Sequence, residues 1–163
     1  MKFEESGMKF HFDDTNFNIW LPEKCDDYKK MTGVKMAEFM IEVKQSKIFF
    51  VEVKTSAPKD THAFLADIAT KIRCMISLFT SITWGRKNDT GAEVPKRWSK
   101  KAFLKNEKWR CLLIVKDHKD DWLQGLQDSI TIHPDFKELG QIYGLLQPIC
   151  VNEKKVKSLG WLE

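Results

Sequence analysis

Residues Glu38–Lys54, EFMIEVKQSKIFFVEVK, constrain the fold more than any other stretch of the chain. Val34 to Val43 reads as a strand with Phe39, Ile41 and Val43 on one face and Glu38, Met40 and Glu42 on the other. The run Ile48, Phe49, Phe50, Val51 opens a second strand, Ile48 to Lys54, apolar enough to be buried. Gln45-Ser46-Lys47 between them predicts a short turn. That turn sets Lys44 opposite Ile48, Met40 opposite Glu52 and Glu38 opposite Lys54, making Glu38 and Glu52 diagonal neighbours about 7–8 Å apart on one face. Both strands end in Glu-Val-Lys, at Glu42-Val43-Lys44 and at Glu52-Val53-Lys54.

A long amphipathic helix follows, from about Thr61 to Ile82, with Asp60 or Thr61 as N-cap. Phe64, Leu65, Ile68, Ile72, Met75, Ile76 and Phe79 recur at helical spacing, and Lys71 lies at the edge of that apolar face. Arg110–Val115 is a further strand, apolar enough to be central in a sheet. Elsewhere the patterning is shorter. Met8 to Trp20 predicts a strand pair turning at Asp13-Asp14, and Asp120 to Leu126 a helix followed by a short strand at Ser129 to Ile132. Pro134 to Leu146 predicts a second amphipathic helix, and Pro148 to Val151 an edge strand, where a leading proline is tolerated.

With 163 residues, 42% of them hydrophobic and 31% charged, the chain is expected to form one α/β domain with a single core. No run approaches the roughly 18 apolar residues of a membrane span, and the start MKFEESGMKF lacks the apolar core of a secretory signal, so a cytoplasmic protein with no membrane partner is expected. Cys25, Cys74, Cys111 and Cys150 have no paired spacing, and His11, His62, His118 and His133 lack the i, i+4 spacing of helical metal ligands.

The net charge of +4 is unevenly spread. Arg86 to Lys108 carries eight basic residues against three acidic ones and is interleaved with or bordered by Trp84, Trp98 and Trp109. Arg86, Lys87, Lys96, Arg97, Lys100 and Lys101 are therefore candidates for gripping a nucleic-acid backbone while an aromatic ring stacks on a base. The plainer alternative is a solvated loop whose tryptophans pack on the core.

The strand pair, long helix and further strand, with an acid before the turn and Glu-x-Lys after it, resemble the PD-(D/E)XK nuclease superfamily. Gly33-Val34-Lys35-Met36-Ala37-Glu38-Phe39 followed by Phe50-Val51-Glu52-Val53-Lys54 is similar to small bacterial members whose pattern is Gly-x-Lys-x-x-Asp-Phe before Glu-x-Lys. The resemblance implies a restriction-endonuclease-like mixed β-sheet flanked by helices and hydrolysis of phosphodiester bonds in nucleic acid. It implies Glu38 and Glu52 as metal-binding acids, the Val53 carbonyl as a further ligand, Lys54 as the lysine that positions water, and Mg²⁺ or Mn²⁺ as the metal. Lys35, Lys71 and Arg73 become candidates for phosphate contacts. Two positions depart from the pattern: Glu38 stands where the family has Asp, and Cys74-Met75 where its helix has Asp-Thr.

Such chemistry needs hard oxygen ligands for a cation that neutralises developing charge and yields hydroxide near neutral pH. Asp26 and Asp27 are possible further acids, although acidic connections are usually solvated. Glu42 and Lys44, beside the turn, read as cross-strand charge on an exposed face. A domain of this size offers little surface for a duplex, which points to a homodimer. The competing expectation is a catalytically inactive binding or interaction module of the same fold, for instance in bacterial defence or a mobile element.

Overall fold

A computed structural model of the chain describes residues 1–43, 47–56, 60–86 and 108–163. The order is β1 (Lys2–Glu5), β2 (Met8–His11), β3 (Phe17–Trp20), a 3₁₀ turn (Pro22–Lys24), α1 (Asp26–Lys29), β4 (Phe39–Val43), β5 (Lys47–Lys54) and α2 (Thr61–Thr83). It continues with β6 (Lys108–Val115), α3 (Asp120–Ile132), α4 (Pro134–Tyr143), β7 (Leu146–Asn152) and α5 (Glu153–Ser158).

The fold is α/β, organised by a five-stranded mixed sheet in the order β3-β4-β5-β6-β7. β3 and β4 pair antiparallel, as do β4 and β5, whereas β6 is parallel to β5 and β7 is parallel to β6. A parallel neighbour needs a crossover, and α2 lies in the connection between β5 and β6. The two most apolar runs take the central positions: Phe50 and Val51 of β5 and Cys111 and Leu113 of β6 are fully buried.

Alternation divides the sheet's side chains between two cores. On one face Trp20, Met40, Ile48, Phe50 and Leu113 pack against Leu65, Ile68, Ile72, Met75 and Phe79 of α2, with Leu126 and Ile130 of α3 and Phe136 and Leu139 of α4. On the other, Ile19, Phe39, Ile41, Val51, Val53 and Ile114 pack against Met8 and Phe10 of β2, Val156 of α5 and Trp161. Phe10, Phe12 and Phe39 make offset or edge-on ring contacts in this second core. α2 begins as expected, with the Asp60 carboxylate accepting from Ala63 N–H at 3.0 Å.

The local patterns were legible, but several pairings differ. β2 does not turn back on β3. It pairs with β1 in a separate two-stranded sheet, and β3 pairs with β4. The two-residue turn Ser6-Gly7, with φ of 50° and 70°, joins β1 to β2, as expected of a primed hairpin turn. Asp13 still marks a turn, accepting from Thr15 N–H at 2.8 Å, but that turn connects two sheets. The β4–β5 register also moves: Val43 faces Lys47, Met40 faces Phe50 and Phe39 faces Val51. Phe39, Met40 and Ile41 thereby oppose the apolar Val51, Phe50 and Phe49, while every side chain keeps its face.

Ser129 to Ile132 continues α3 instead of forming a strand. Its apolar residue Ile130 is needed in the helical core, and the Gln127 side chain supplies the edge pairing a strand would have made. Glu42 is buried and accepts a hydrogen bond from Asn18 Nδ2, so it does not lie on an exposed face. β7 is an edge strand containing Pro148, as expected. Cys25, Cys111 and Cys150 are buried free thiols, and burial pushes Cys150 up to about 12.

Candidate active site

β5 carries Glu52 and Lys54 on the face that meets α2, because Ile48 and Phe50, four and two residues before Glu52, pack there. The helix period brings Lys71 to the same place, one residue from buried Ile72. Glu52 is completely buried, and its Oε1 lies 2.6 Å from both Lys54 Nζ and Lys71 Nζ. Its other oxygen, Oε2, is buried without a hydrogen-bond partner. Two ammoniums thus share one carboxylate oxygen while the second remains available as an acceptor. Burial opposes the charge on Lys71, but the hydrogen bond and negative charge of Glu52 outweigh it and hold the ammonium above the ordinary lysine range. Asp67, one turn earlier on α2, approaches Lys71 at 4.0 Å.

Glu38 joins this group from the start of β4. Its N–H donates to Val51 O at 3.0 Å, just before the Phe39–Val51 pair at which the β4–β5 ladder ends. The Glu38 carboxyl is pushed up to about 7, first by burial and then by the negative charges of Glu52 and Glu5, with Lys71 and Lys54 opposing. Glu38 thus lies within electrostatic reach of Glu52, Glu5, Lys71 and Lys54.

Glu5 was not anticipated. It ends β1, opposite Met8, and its Oε1 accepts from Ser6 Oγ at 3.0 Å. Ser6 Oγ also contacts Val53 O at 3.4 Å, so the hairpin turn closes one side of the site. The available signal was Glu5-Ser6-Gly7-Met8 between alternating apolar residues, a two-residue turn signature. Gly7 has a left-handed φ of 70°, a conformation that strains any residue with a Cβ and so favours glycine.

Other expected residues lie elsewhere. Arg73 pairs with Glu138 of α4 at 3.2 Å, Lys35 is exposed, and Asp26 pairs with Lys29 at 3.3 Å. Arg86 is exposed beyond α2. Lys44, Lys87, Lys96, Trp98, Arg97, Lys100 and Lys101 lie outside the described residues. Trp109 packs edge-on against Phe50 at 5.5 Å and belongs to the core, whereas Trp84 is exposed.

Among the described residues, no group of three or more His, Cys, Asp and Glu is arranged as a metal site, and no helix is long and apolar enough to cross a membrane. The donor set nevertheless suits a hard divalent cation. Glu52 Oε2 is an unpaired buried acceptor, the Glu38 carboxyl is raised by burial and by neighbouring negative charge that a cation would offset, and such a cation keeps several waters of its own. Comparisons with protein-family models, curated proteins and solved structures found no match to the chain.

Proposed function

We propose that the chain is a metal-dependent nuclease-like protein of the PD-(D/E)XK kind, with a restriction-endonuclease-like fold. The antiparallel β3-β4-β5 meander, the α2 crossover and the parallel strand β6 support that fold reading. The observation that carries the functional reading is Glu52: a fully buried carboxylate at the end of a central strand, with two lysines on one oxygen and no partner on the other. A structural ion pair gains nothing from leaving a buried oxygen unpaired, and that arrangement costs stability.

Glu38 and Glu52 would hold Mg²⁺ or Mn²⁺, with the Val53 carbonyl as a further oxygen. The bound ion would neutralise phosphate charge and lower the pKa of a bound water. Lys54, half-buried beside Glu52, would orient that water. Lys71 would hold the Glu52 carboxylate in place through Oε1 and face the scissile phosphate. The partner would be a nucleic acid.

A second reading, a non-catalytic nucleic-acid-binding module, is favoured by the two lysines, which neutralise Glu52 with no cation. Calorimetric titration with Mn²⁺ separates the two. The nuclease reading expects binding that disappears in Glu52→Gln, and cleavage of plasmid, single-stranded DNA or RNA that falls at least about 100-fold in Lys54→Ala. Absence of Glu52-dependent Mn²⁺ binding, or equal cleavage by Lys54→Ala and the wild type, would leave only the binding module.

A further inference from the structure

The carboxyl ends of β5, β6 and β7 lie along one edge of the sheet, and the candidate active site occupies only the β5 end. Lys116 follows β6 directly, and its N–H donates to Lys54 O at 2.8 Å. Beyond it, at the ends of β6 and β7, opens a cavity of about 490 Å³ whose lining includes Lys116, Lys119, Lys154 and Lys157. Open α/β sheets place ligands at this end of their strands.

The charges in this cavity are not equivalent. Asp120 is already engaged by Lys154 at 2.8 Å and by Asn152 Nδ2 at 2.5 Å. Lys116, Lys119 and Lys157 have no carboxylate within 4.0 Å among the described residues, and they outnumber the remaining lining acids, Asp117 and Glu153. His118 Nε2, also in the lining, is buried without a hydrogen-bond partner.

Against the lining residues His118 and Lys119 stands Trp122, in the first turn of α3 and 59% exposed. The Lys119 ammonium lies 4.8 Å from the centre of its ring, and the His118 ring meets it edge-on at 6.0 Å. The indole is thus positioned by two neighbours yet turned to solvent, where an aromatic ring of this size gains nothing from the core. Cations without a carboxylate partner, lining a groove beside an exposed, oriented aromatic ring, suit a flexible polyanion that carries flat apolar rings.

We infer that this cavity binds a single-stranded nucleic-acid segment, with phosphates over Lys116, Lys119 and Lys157 and an unstacked base on Trp122. A duplex keeps its bases stacked inward and cannot use the indole, so the site selects unpaired strands, overhangs or frayed ends. The path from Trp122 through Lys116 to Lys54 would lead such a strand toward Glu52. That last connection rests on the nuclease reading; the binding itself does not.

The test is fluorescence anisotropy of labelled oligo(dT), oligo(U) and a blunt hairpin duplex in EDTA and low salt, so that cleavage cannot contribute. Oligo(dT), oligo(U) or both are expected to bind at least about tenfold more tightly than the duplex. Trp122→Ala should weaken that binding about tenfold, within the range for loss of one base stack. Lys116→Gln and Lys157→Gln should each reduce the salt dependence by about one phosphate contact. Trp122 and Lys157 are exposed, so these variants should keep the wild-type circular dichroism. Single-strand binding indifferent to Trp122, or duplex preferred, overturns the inference even if metal-dependent cleavage is found. Trp122-dependent binding without cleavage supports it and removes the nuclease reading alone.

Discussion

Lys71 Nζ meets Glu52 Oε1 at 2.6 Å, joining the middle of α2 to the end of β5 across 19 positions of sequence. Removing one partner of a buried pair leaves the other charged and desolvated, at a cost of about 3–5 kcal/mol. Because Lys54 also reaches the same oxygen, Lys71→Met is expected to cost somewhat less, about 2–3 kcal/mol, in urea unfolding. Lys71→Met with Glu52→Gln should be less damaging than the sum of the single changes, with a coupling of about 1–3 kcal/mol. Additive effects would mean that the two side chains do not interact in solution.

Glu38 gives stability a pH dependence of definite sign. Its carboxyl is pushed from the ordinary 4.5 up to about 7, so between those values the folded chain holds a proton that the unfolded chain has released. The resulting contribution is complete below about pH 4.5 and is lost as pH rises to about 7. Glu38 is half-buried, and solvent screening reduces the effect to about 1–2 kcal/mol. Glu38→Gln should therefore be more stable than the wild type at pH 8 by that amount and nearly equal to it at pH 4.5, as measured by denaturant titration at both pH values. A variant less stable at pH 8 would contradict the burial of Glu38 among like charges.

The site was legible where one strand or one helix determined it. Alternation in β5 placed Glu52 and Lys54 on one face, and the helical period placed Lys71 at the margin of the buried face of α2. The relation of Glu38 to Glu52 depended instead on strand register, which is fixed by apolar residues finding one another across the hairpin and not by loop length alone. Glu5 was out of reach for a further reason. Its hairpin joins the site through ring contacts with Phe39 and the Ser6–Val53 hydrogen bond, contacts between segments far apart in sequence. The same limit turned β2 away from β3, since each run had the right period for a strand but no local feature naming its partner.

The metal reading makes a linked prediction. A dication bound by Glu38 must displace the proton that this carboxyl holds below about pH 7. Mn²⁺ affinity should consequently rise about tenfold per pH unit between pH 5.5 and 6.5 and level off above 7. Calorimetry in two buffers of different ionisation heat should record release of close to one proton at pH 6. Glu38→Gln should abolish that release and weaken binding. Mn²⁺ binding with no proton release would place the ion away from Glu38.

The edge of the sheet depends on a side chain as much as on a strand. Gln127 of α3 donates through Nε2 to Pro148 O at 2.9 Å and accepts through Oε1 from Cys150 N–H at 2.8 Å, imitating a neighbouring strand along β7. Pro148 itself offers no N–H, so one amide side chain is enough to pair this part of the edge. Gln127→Leu keeps the helix propensity but leaves the Cys150 N–H and Pro148 carbonyl without these bonds, for a loss of about 1–3 kcal/mol. Hydrogen exchange gives the more local readout. The Cys150 amide should exchange at least about tenfold faster in Gln127→Leu, while the Leu113 amide in the central strand β6 slows or quickens only with global stability. Unchanged exchange at Cys150 would mean that water pairs the edge as well as Gln127 does.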